Sequence, residues 1–341
     1  CALPIYYVLM EMFMRKILLA STALVAVAGV SAASAEVTLS GNTAFGYNSW
    51  SDNATDTGGA NNNKFLSDTD LAASWSATTD SGLSISVSYD IDADESGATI
   101  SGDWGNLSWS DGDDAQEVGQ SDALPVTVVT TGTTTADFNG EEGINGGTVA
   151  YTTAISGIEF GIGTTNGGAA SLADETSWGV AYSAEVGGGA TVSLGYSAAE
   201  TAAADTTAAT TDSSYTNLNG SVAIGDLTVE AASTTYKTTR VDDNASDAGF
   251  ADYKTNNFGV TYAISDTLSI VAQTSAVKGD QGSATGAATD YKYDATSYGV
   301  DYTIATGVAL TASFTDYTQS GTNAGSSISG TSTMVRVKVS F

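Results

Sequence analysis

The sequence predicts an all-β protein, a 16-stranded antiparallel transmembrane β-barrel. Three observations predict this fold. Apolar residues alternate with small or polar ones along most of the chain, short turns alternate with long polar loops, and the number of strands is even. Strict period-two alternation gives a strand one apolar face and one polar face. Because every backbone N–H and C=O must be paired inside hydrocarbon, a membrane-spanning sheet has to close on itself.

The first segment of the chain predicts export. Residues 14–35 (MRKILLASTALVAVAGVSAASA) have a basic start, a short apolar run and an Ala-Ser-Ala cleavage pattern. This arrangement is typical of a secretory signal peptide, and the apolar run is too short for a spanning helix. Residues 1–13 precede a natural start and are interpreted as an upstream translation artefact. We therefore expect residues 36–341 to form a single barrel domain.

The apolar parity can be followed strand by strand through the first half of that domain. It comprises Val37, Leu39, Phe45 and Tyr47; Phe65, Leu71 and Trp75; Leu83, Ile85, Val87, Tyr89 and Ile91; Ala98, Ile100 and Trp104; Leu107 and Trp109; Val149 and Tyr151; and Ile158, Phe160 and Ile162. Small or polar residues fill the positions between them, so each run is a strand with one wet face.

Tight hairpins repeat in the second half, where a turn of Gly, Asp or Ser joins two alternating runs. The paired runs are WGVAY and VSLGY, NGSVAI and LTVEA, FGVTYAI and LSIVA, and YGVDYTI and VALTASF. The last strand places Val335, Val337, Val339 and Phe341 on one face, with Arg336 and Lys338 on the other.

The connections fall into two classes that alternate along the chain. Strands are predicted to begin near residues 36, 65, 83, 97, 107, 147, 157, 177, 190, 216, 227, 257, 267, 297, 307 and 332. Short turns are predicted near 80–82, 105–106, 155–157, 185–189, 225–226, 265–267 and 305–307. Long polar loops are predicted near 49–64, 92–96, 111–146, 164–176, 198–214, 236–256, 276–296 and 317–331.

Short turns at one rim and long loops at the other are typical of an outer-membrane barrel. The apolar parity then faces lipid, and the polar parity faces an aqueous lumen. Aromatic residues of the apolar parity are expected at the lipid interface: Trp178, Tyr182, Tyr196, Phe258, Tyr262, Tyr298, Tyr302 and Phe314.

Composition argues against enzymatic chemistry. The chain has no His, and its single Cys is Cys1, which lies in the discarded segment. Imidazole and thiolate chemistry, including Ser-His-Asp catalysis and zinc sites, is therefore impossible in the barrel domain. We expect no catalytic residues and, at a net charge of −29, no nucleic-acid partner.

The whole barrel domain resembles the Gram-negative general porins, particularly the alphaproteobacterial type. The resemblance rests on the signal peptide, the EVTLSGNTAFGYN start, the ATISGDWGNLSWSDGDD strand–turn–strand, the repeated aromatic-Gly-Val-x-Tyr hairpins and the terminal Phe341. It implies a passive diffusion channel of the outer membrane for small hydrophilic solutes and ions. It also implies a homotrimer among lipid and lipopolysaccharide, and Phe341 as an assembly signal for the barrel-assembly machinery.

The resemblance further implies a third external loop that folds inward and narrows the pore. Here the third long loop, residues 110–146, is the longest in the chain and contains no Lys or Arg. A loop of this size in a compact domain is usually functional. Its acidic residues are the candidate constriction residues Asp111, Asp113, Asp114, Glu117, Asp122, Asp137, Glu141 and Glu142.

The charged residues of the polar parity predict the selectivity of the pore. They are Asp68, Asp70, Asp90, Glu159, Glu230 and Asp301, against only Arg336 and Lys338. Members of the family usually set basic wall residues against the acidic loop, and this chain departs from that pattern. Since acidic rings concentrate cations, we expect a cation-preferring pore. The alternative is that the negative charge only solvates a loop surface exposed to saline water.

Three further hypotheses remain open. Asp111, Asp113 and Asp114 could hold Ca²⁺, although their spacing lacks the EF-hand pattern and a solvated acidic loop is the alternative; no cofactor is required. The chain could instead be a substrate-specific channel for sugars or a cationic nutrient, but its aromatics fall mostly on the lipid parity. A secreted all-β adhesin or surface-layer protein is the alternative outside the barrel class.

Overall fold

The structure is a computed structural model that describes ten segments of the chain. These are residues 36–52, 64–91, 96–110, 118–119, 149–165, 174–202, 211–240, 251–281, 289–320 and 328–341. The predicted artefact and signal peptide, residues 1–35, lie outside the described residues. Within the described segments, no helix is both long and apolar enough to cross a membrane.

The predicted set of sixteen antiparallel strands is confirmed. The strands are β1 (Glu36–Asp52), β2 (Lys64–Thr78), β3 (Ser84–Asp90), β4 (Ser96–Gly102), β5 (Gly105–Ser110), β6 (Val149–Ile155), β7 (Ile158–Thr165), β8 (Asp174–Val186), β9 (Ala190–Ala202), β10 (Thr211–Ile224), β11 (Leu227–Arg240), β12 (Ala251–Ser265), β13 (Leu268–Gln281), β14 (Thr289–Ala305), β15 (Val308–Ser320) and β16 (Ile328–Ser340).

Each strand pairs with its neighbours in sequence, and β16 pairs with β1, so the sheet closes into a barrel. At this seam the Gly41 N–H donates to the Phe341 carbonyl at 3.2 Å, and the Phe341 N–H donates to the Gly41 carbonyl at 3.0 Å. A Cβ on Gly41 would lie 2.8 Å from Cζ of Phe341, so glycine leaves room for the terminal ring. Closure therefore extends to the last residue of the chain.

Tight turns join alternate pairs of strands at one rim, which we call the short-turn rim. The turn between β6 and β7 is Ser156–Gly157, with φ of 55° and 82°. Two consecutive positive φ angles fit the mirror-image turn that matches the twist of a hairpin. The opposite rim, where the longer connections lie, is called the long-loop rim.

The two faces of the sheet have the predicted chemistry. Outward positions expose large apolar side chains, for example Phe45 (54%), Leu194 (57%) and Tyr298 (57%). Inward positions between them carry small or polar residues that are buried, such as Ser197 and Asn217. An apolar band outside a polar interior is the arrangement of a barrel in lipid. The predicted parity is therefore confirmed.

Several strands begin earlier than predicted, always at the long-loop rim. β8, β10, β12, β14 and β16 begin at residues 174, 211, 251, 289 and 328, where starts near 177, 216, 257, 297 and 332 were expected. The prediction followed the apolar alternation, which ends where lipid ends. Strand pairing continues beyond that level with polar outward residues, so much of the predicted loops at 236–256 and 276–296 is strand.

The turn between β4 and β5 also differs from the prediction. It lies at residues 103–104 rather than 105–106, because β4 ends at Gly102 and β5 begins at Gly105. Trp104 was assigned to a strand and instead occupies the turn. Its ring stacks on Tyr151 with a 6.0 Å centroid distance and a 7° interplanar angle, and its carbonyl accepts hydrogen bonds from Tyr151 and Thr153. These contacts hold the turn against the neighbouring hairpin.

Candidate functional site

The inner wall of the barrel carries all of the charged wall residues that the sequence predicts for it. The cross-strand pairing places each of them at an inward position, opposite another inward residue. They are Asp68 and Asp70 on β2, Asp90 on β3, Glu159 on β7, Glu230 on β11, Asp301 on β14, and Arg336 and Lys338 on β16.

Each of the two basic residues on β16 has an acidic residue two strands away, and Glu159, Glu175 and Glu185 lie on the opposite side of the barrel. Lys338 pairs with Ala44 on β1, and Ala44 pairs with Asp68 on β2. On the other side, Arg336 pairs with Thr311 on β15, whose hydroxyl donates to Oδ1 of Asp301 at 2.7 Å. Each base is thus two strands, roughly 10 Å along the sheet, from an acid. This placement brings positive and negative charge together on one side of the wall.

The structure adds two acidic residues that the sequence reasoning missed. Glu175 and Glu185 occupy inward positions on β8, in line with the buried Ser177. Glu175 is buried near the long-loop rim, and Glu185 is exposed at the short-turn rim. Glu175 was missed because it fell in the predicted loop at 164–176, and Glu185 because it was assigned to the turn at 185–189. Counting in twos from Ser177 would have found both.

Part of the third long loop lies against the inner wall. Gly119 is buried, and its carbonyl accepts a hydrogen bond from the Asn219 side chain at 2.7 Å. A Cβ on Gly119 would lie 2.3 Å from the carbonyl oxygen of Tyr196, and one on Gly195 would lie 2.8 Å from the carbonyl oxygen of Gly119. Two glycines in contact therefore let Val118–Gly119 lie directly on the wall at β8–β10.

The candidate constriction residues themselves lie outside the described residues. They are Asp111, Asp113, Asp114, Glu117, Asp122, Asp137, Glu141 and Glu142. The same holds for the three carboxylates considered for Ca²⁺. In the segments that the structure describes, no group of three or more potential metal ligands occurs.

Five tyrosines, which we call the inner tyrosine cluster, occupy inward positions towards the long-loop rim. They are Tyr215, Tyr236, Tyr253, Tyr293 and Tyr317, on β10, β11, β12, β14 and β15. Tyr236 and Tyr253 stack with centroids 5.0 Å apart, and Tyr293 and Tyr317 stack at 6.2 Å. Such offset ring pairs add about 1 kcal/mol each beyond the area that they bury.

This cluster makes one part of the inner wall a packed aromatic layer. Tyr215, Tyr293 and Tyr317 are buried, with Val277 packed among the last two. Gly330 on β16 makes room for the layer, since a Cβ there would lie 2.6 Å from Oη of Tyr317. The sequence reasoning did not place any tyrosine inside. The signal was present, because Tyr215 lies an odd number of residues from the outward Leu218.

The opposite kind of wall lines β2–β5. Serine and threonine hydroxyls surround a shallow recess of about 270 Å³ there, lined by Ser74, Ser86, Ser88, Thr99, Ser108 and Ser110 among others. Ser86 and Ser88 are exposed. This part of the wall presents small hydrogen-bonding groups to the lumen and no bulky side chain.

The predicted interfacial aromatics all lie on the outward face. Trp178 and Tyr196 are in contact on neighbouring strands, with ring centroids 5.2 Å apart. Phe258, Tyr262, Tyr298, Tyr302 and Phe314 are all more than 40% exposed. Large exposed aromatics on the outside of a barrel are expected where the protein meets the lipid interface.

A closed barrel of sixteen strands, with a polar, acidic interior and an apolar exterior, is now established. The family model described as Gram-negative porin matches residues 20–322. The chain belongs to the Gram-negative porin family. As a porin it is a diffusion channel of the outer membrane and not an enzyme, and the alternative of a secreted adhesin or surface-layer protein has no support.

Solved structures show the same fold at low sequence identity. OmpT, expressed in the outer membrane of Vibrio cholerae, has a TM-score of 0.63 and 14% identity, covering 92% of this chain and 99% of its own. An anion-selective porin from Comamonas acidovorans has a TM-score of 0.61 and 17% identity, covering 90% and 100%. The trimer form of in-vitro folded Vibrio cholerae OmpT has a TM-score of 0.60 and 14% identity, covering 90% and 99%. No curated protein sequence matches the chain.

Proposed function

We propose that this porin admits small hydrophilic solutes and ions passively and prefers cations. The observation that carries the proposal is the charge of the inner wall. Eight inward carboxylates on β2, β3, β7, β8, β11 and β14 outnumber Arg336 and Lys338, together with Lys64 on β2 and Arg240 on β11, which the register also puts at inward positions. Carboxylate-lined pores raise the local concentration of cations, over about 8 Å at physiological salt.

The fold does not decide the sign of this selectivity. A solved structure with the same fold is an anion-selective porin, so the side chains of each wall must set the preference. In this chain Lys338 and Arg336 lie two strands from Asp68 and Asp301. The inward carboxylates outnumber the inward basic residues, so the wall acts on passing ions with a net negative charge. If the acidic residues only solvated the surface, the pore would show no preference.

Residues 110–146 are proposed to fold into the lumen as the constriction loop. The contact of Gly119 with Asn219 supports this proposal, because Gly119 is buried against the inner wall and its carbonyl accepts a hydrogen bond from the inward Asn219 side chain. The loop would then bring further carboxylates into the narrowest part of the pore. That arrangement would strengthen the cation preference.

Assembly is proposed to follow from the two ends of the chain. Residues 14–35 would direct export to the periplasm, and Phe341, 73% exposed at the closing seam, would be the signal for the barrel-assembly machinery. We propose a homotrimer among lipid and lipopolysaccharide, as supported by the trimer form of the similar OmpT. Calcium at Asp111, Asp113 and Asp114 stays a proposal, and trimers that keep their stability in a chelator would contradict it.

A channel specific for a ring-shaped nutrient such as a sugar is the second candidate. The inner tyrosine cluster favours it, because Tyr236 and Tyr253 are only half-buried and aromatic faces stack on the apolar faces of rings. Such a channel would show saturating, solute-blockable conductance. A conductance that no sugar blocks would leave the general channel as the function.

The reversal potential in a salt gradient tests the cation preference. We expect wild-type protein in a planar bilayer with a KCl gradient to show a cation-selective potential. Asp68→Asn/Asp70→Asn should lower it, and Arg336→Gln/Lys338→Gln should raise it, because the two pairs carry opposite charge on the same region of wall. An anion-selective wild-type potential would overturn the proposal.

A further inference from the structure

The inner wall carries a strip of opposite charges across the seam where β16 meets β1. From β14 to β2 the charged residues at inward positions are Asp301, Arg336, Lys338 and Asp68. We call these four residues the charged strip. Arg336 and Lys338 are two residues apart on one strand, roughly 7 Å between their Cα atoms. The strip is therefore a pair of cations with one carboxylate on either side.

The two cations of the charged strip are not neutralised by contacts within the protein. Among the side chains that the structure describes, neither Arg336 nor Lys338 forms an ion pair. Nε of Arg336 is buried and has no hydrogen-bond partner, and Lys338 is exposed to the lumen. A buried donor that makes no hydrogen bond costs free energy, so a ligand that accepts from it gains affinity. The guanidinium and ammonium groups together offer several such donors.

Small residues flank the two cations and leave room for a solute beside them. The positions paired with Arg336 and Lys338 are Gly46 and Ala44 on β1, and Thr311 and Ala309 on β15. A Cβ on Gly46 would lie 3.2 Å from Cβ of Arg336, so glycine keeps the base of the arginine clear. No bulky side chain in these positions separates the cations from the neighbouring carboxylates.

One of the two carboxylates is oriented by a hydrogen bond. The Thr311 hydroxyl donates to Oδ1 of Asp301 at 2.7 Å. Because β15 lies between β14 and β16, this bond draws the carboxylate towards Arg336. A carboxylate has about four acceptor sites on its two oxygens, so Asp301 can still accept from a ligand. An acid is thus held close to a cation without forming an ion pair with it.

The charges of the wall decide which class of solute fits this strip. A solute that is only an anion is repelled by the net negative wall, and one that is only a cation gains nothing from Arg336 and Lys338. A zwitterion carries no net charge and can use both signs. Its carboxylate would accept charge-assisted hydrogen bonds from the two bases, and its ammonium would donate to Asp301.

We propose that the charged strip binds small zwitterionic amino acids as they pass through the pore. The carboxylate of the solute lies on Arg336 and Lys338, and its ammonium lies on Asp301. The proposal rests on the proposed channel function and names a class of solute for it. The site is close to the short-turn rim, because Lys338 is two residues from Ser340 at the end of β16. The loop contact at Gly119 is on β8–β10, on the opposite side of the barrel.

Osmotic swelling of lipid vesicles that contain the folded full-length protein tests this site. Glycine is the zwitterionic probe, and glycolamide, its uncharged isomer, is the size-matched control. A site raises the flux of a solute when binding is favourable enough for entry and weak enough for release. We therefore expect glycine to enter at least about twofold faster than glycolamide. Equal rates of entry through the wild-type protein would overturn the proposal.

A pair of double variants assigns this preference to the two bases. Arg336→Gln/Lys338→Gln should abolish the preference for glycine. Lys254→Gln/Lys278→Gln removes the same charge from the outward face of β12–β13 and should retain it. Retention of the preference by the first variant, or its loss in the second, would contradict the site.

A pair of single variants tests the position of the ammonium. Asp301→Asn and Asp68→Asn each remove one carboxylate from the same wall, but only Asp301 is held by Thr311. We expect Asp301→Asn to abolish the preference for glycine and Asp68→Asn to retain it. An equal loss in both variants would show that the overall charge of the wall, and not a site, favours glycine.

The reversal potential of the same proteins in a KCl gradient separates this proposal from the proposed function. Arg336→Gln/Lys338→Gln should raise the cation selectivity and Asp301→Asn should lower it, although both lose the preference for glycine. A cation-selective channel without that preference would contradict only the zwitterion site. An anion-selective channel that keeps the preference would support the site and contradict only the proposed cation selectivity. Heat-dependent gel mobility confirms that each variant is folded.

Discussion

The inner wall differs between two regions of this barrel that also differ in strand length. Strands β3–β7 have 6–8 residues, whereas β1, β2 and β8–β16 have 13–17. Small hydroxyls line the short-stranded region, with Ser86 and Ser88 exposed to the lumen. The long-stranded region β8–β16 holds the inner tyrosine cluster, which is largely buried.

The difference shows how strands are stabilised where they extend beyond the apolar band that contacts lipid. A strand of 7 residues is about 23 Å long and, when tilted, fits within the apolar band. The strands of 13 or more residues extend into water, where lipid no longer covers their outer face. There the outward positions become charged, as at Lys254 and Lys292, and the inward positions pack as tyrosines. Inner packing thus replaces lipid as the support of the extended wall.

The largest expected effect is on stability. Tyr293→Ala removes a buried ring that stacks on Tyr317, and should lower the free energy of unfolding by about 3 kcal/mol. The matched variant Ser86→Ala, in the hydroxyl wall, should cost less than about 0.5 kcal/mol. Urea unfolding of both proteins folded into lipid vesicles measures the difference. Equal midpoints for the two variants would show that the tyrosines do not support the wall.

A smaller effect is expected on the rate at which cysteines placed in the two walls react with a thiol reagent. Single cysteines can be placed in a chain that lacks residues 1–35 and so contains no other Cys. Ser86→Cys should react with a charged, water-soluble thiol reagent at least about tenfold faster than Ser297→Cys, because Ser86 is exposed and Ser297 is 1% exposed. The rate of conductance decrease reports the reaction. Comparable rates would mean that water reaches both walls equally.

The smallest effect concerns the contact between the third loop and the wall. Gly195→Ala places a Cβ 2.8 Å from the Gly119 carbonyl and should displace the loop from β8–β10. We expect a change in single-channel conductance of about twofold or less, with no change in stability beyond about 1 kcal/mol. Gly220→Ala is the matched control, since its Cβ would meet the flexible end of Leu194 at 3.0 Å and the Ser193 carbonyl oxygen at 3.3 Å, and no atom of the loop. A larger effect from the control would argue against the loop contact.

The barrel could be predicted from the sequence because contact with lipid requires apolar residues at every second position of each strand. Wherever lipid touches the wall, alternation is enforced, and the outward Leu194 and the inward Asp301 were both placed correctly. Beyond the lipid the rule ends, so β14 was expected near 297 and begins at 289. The buried Tyr215 was missed for the same reason, because it precedes residue 216, where the strand was expected to begin.

The neighbours of the wall charges could not be predicted from the sequence. That Arg336 stands beside Thr311 and two strands from Asp301 depends on the register between strands, which a one-residue slip would reverse. The alternation in the sequence predicted whether each residue points inward or outward. Its neighbour on the next strand is known only from the register in the structure. The contact of Gly119 with Gly195 is of the same kind, since it joins a loop to a strand far along the chain.

Single-channel recording in a planar lipid bilayer tests the central claim most directly. If the closed barrel holds a water-filled lumen, purified folded protein should add current in discrete steps that are proportional to voltage and need no ligand. A folded protein that enters the bilayer and leaves it electrically silent would contradict the account, because it would show that the packed inner wall fills the barrel.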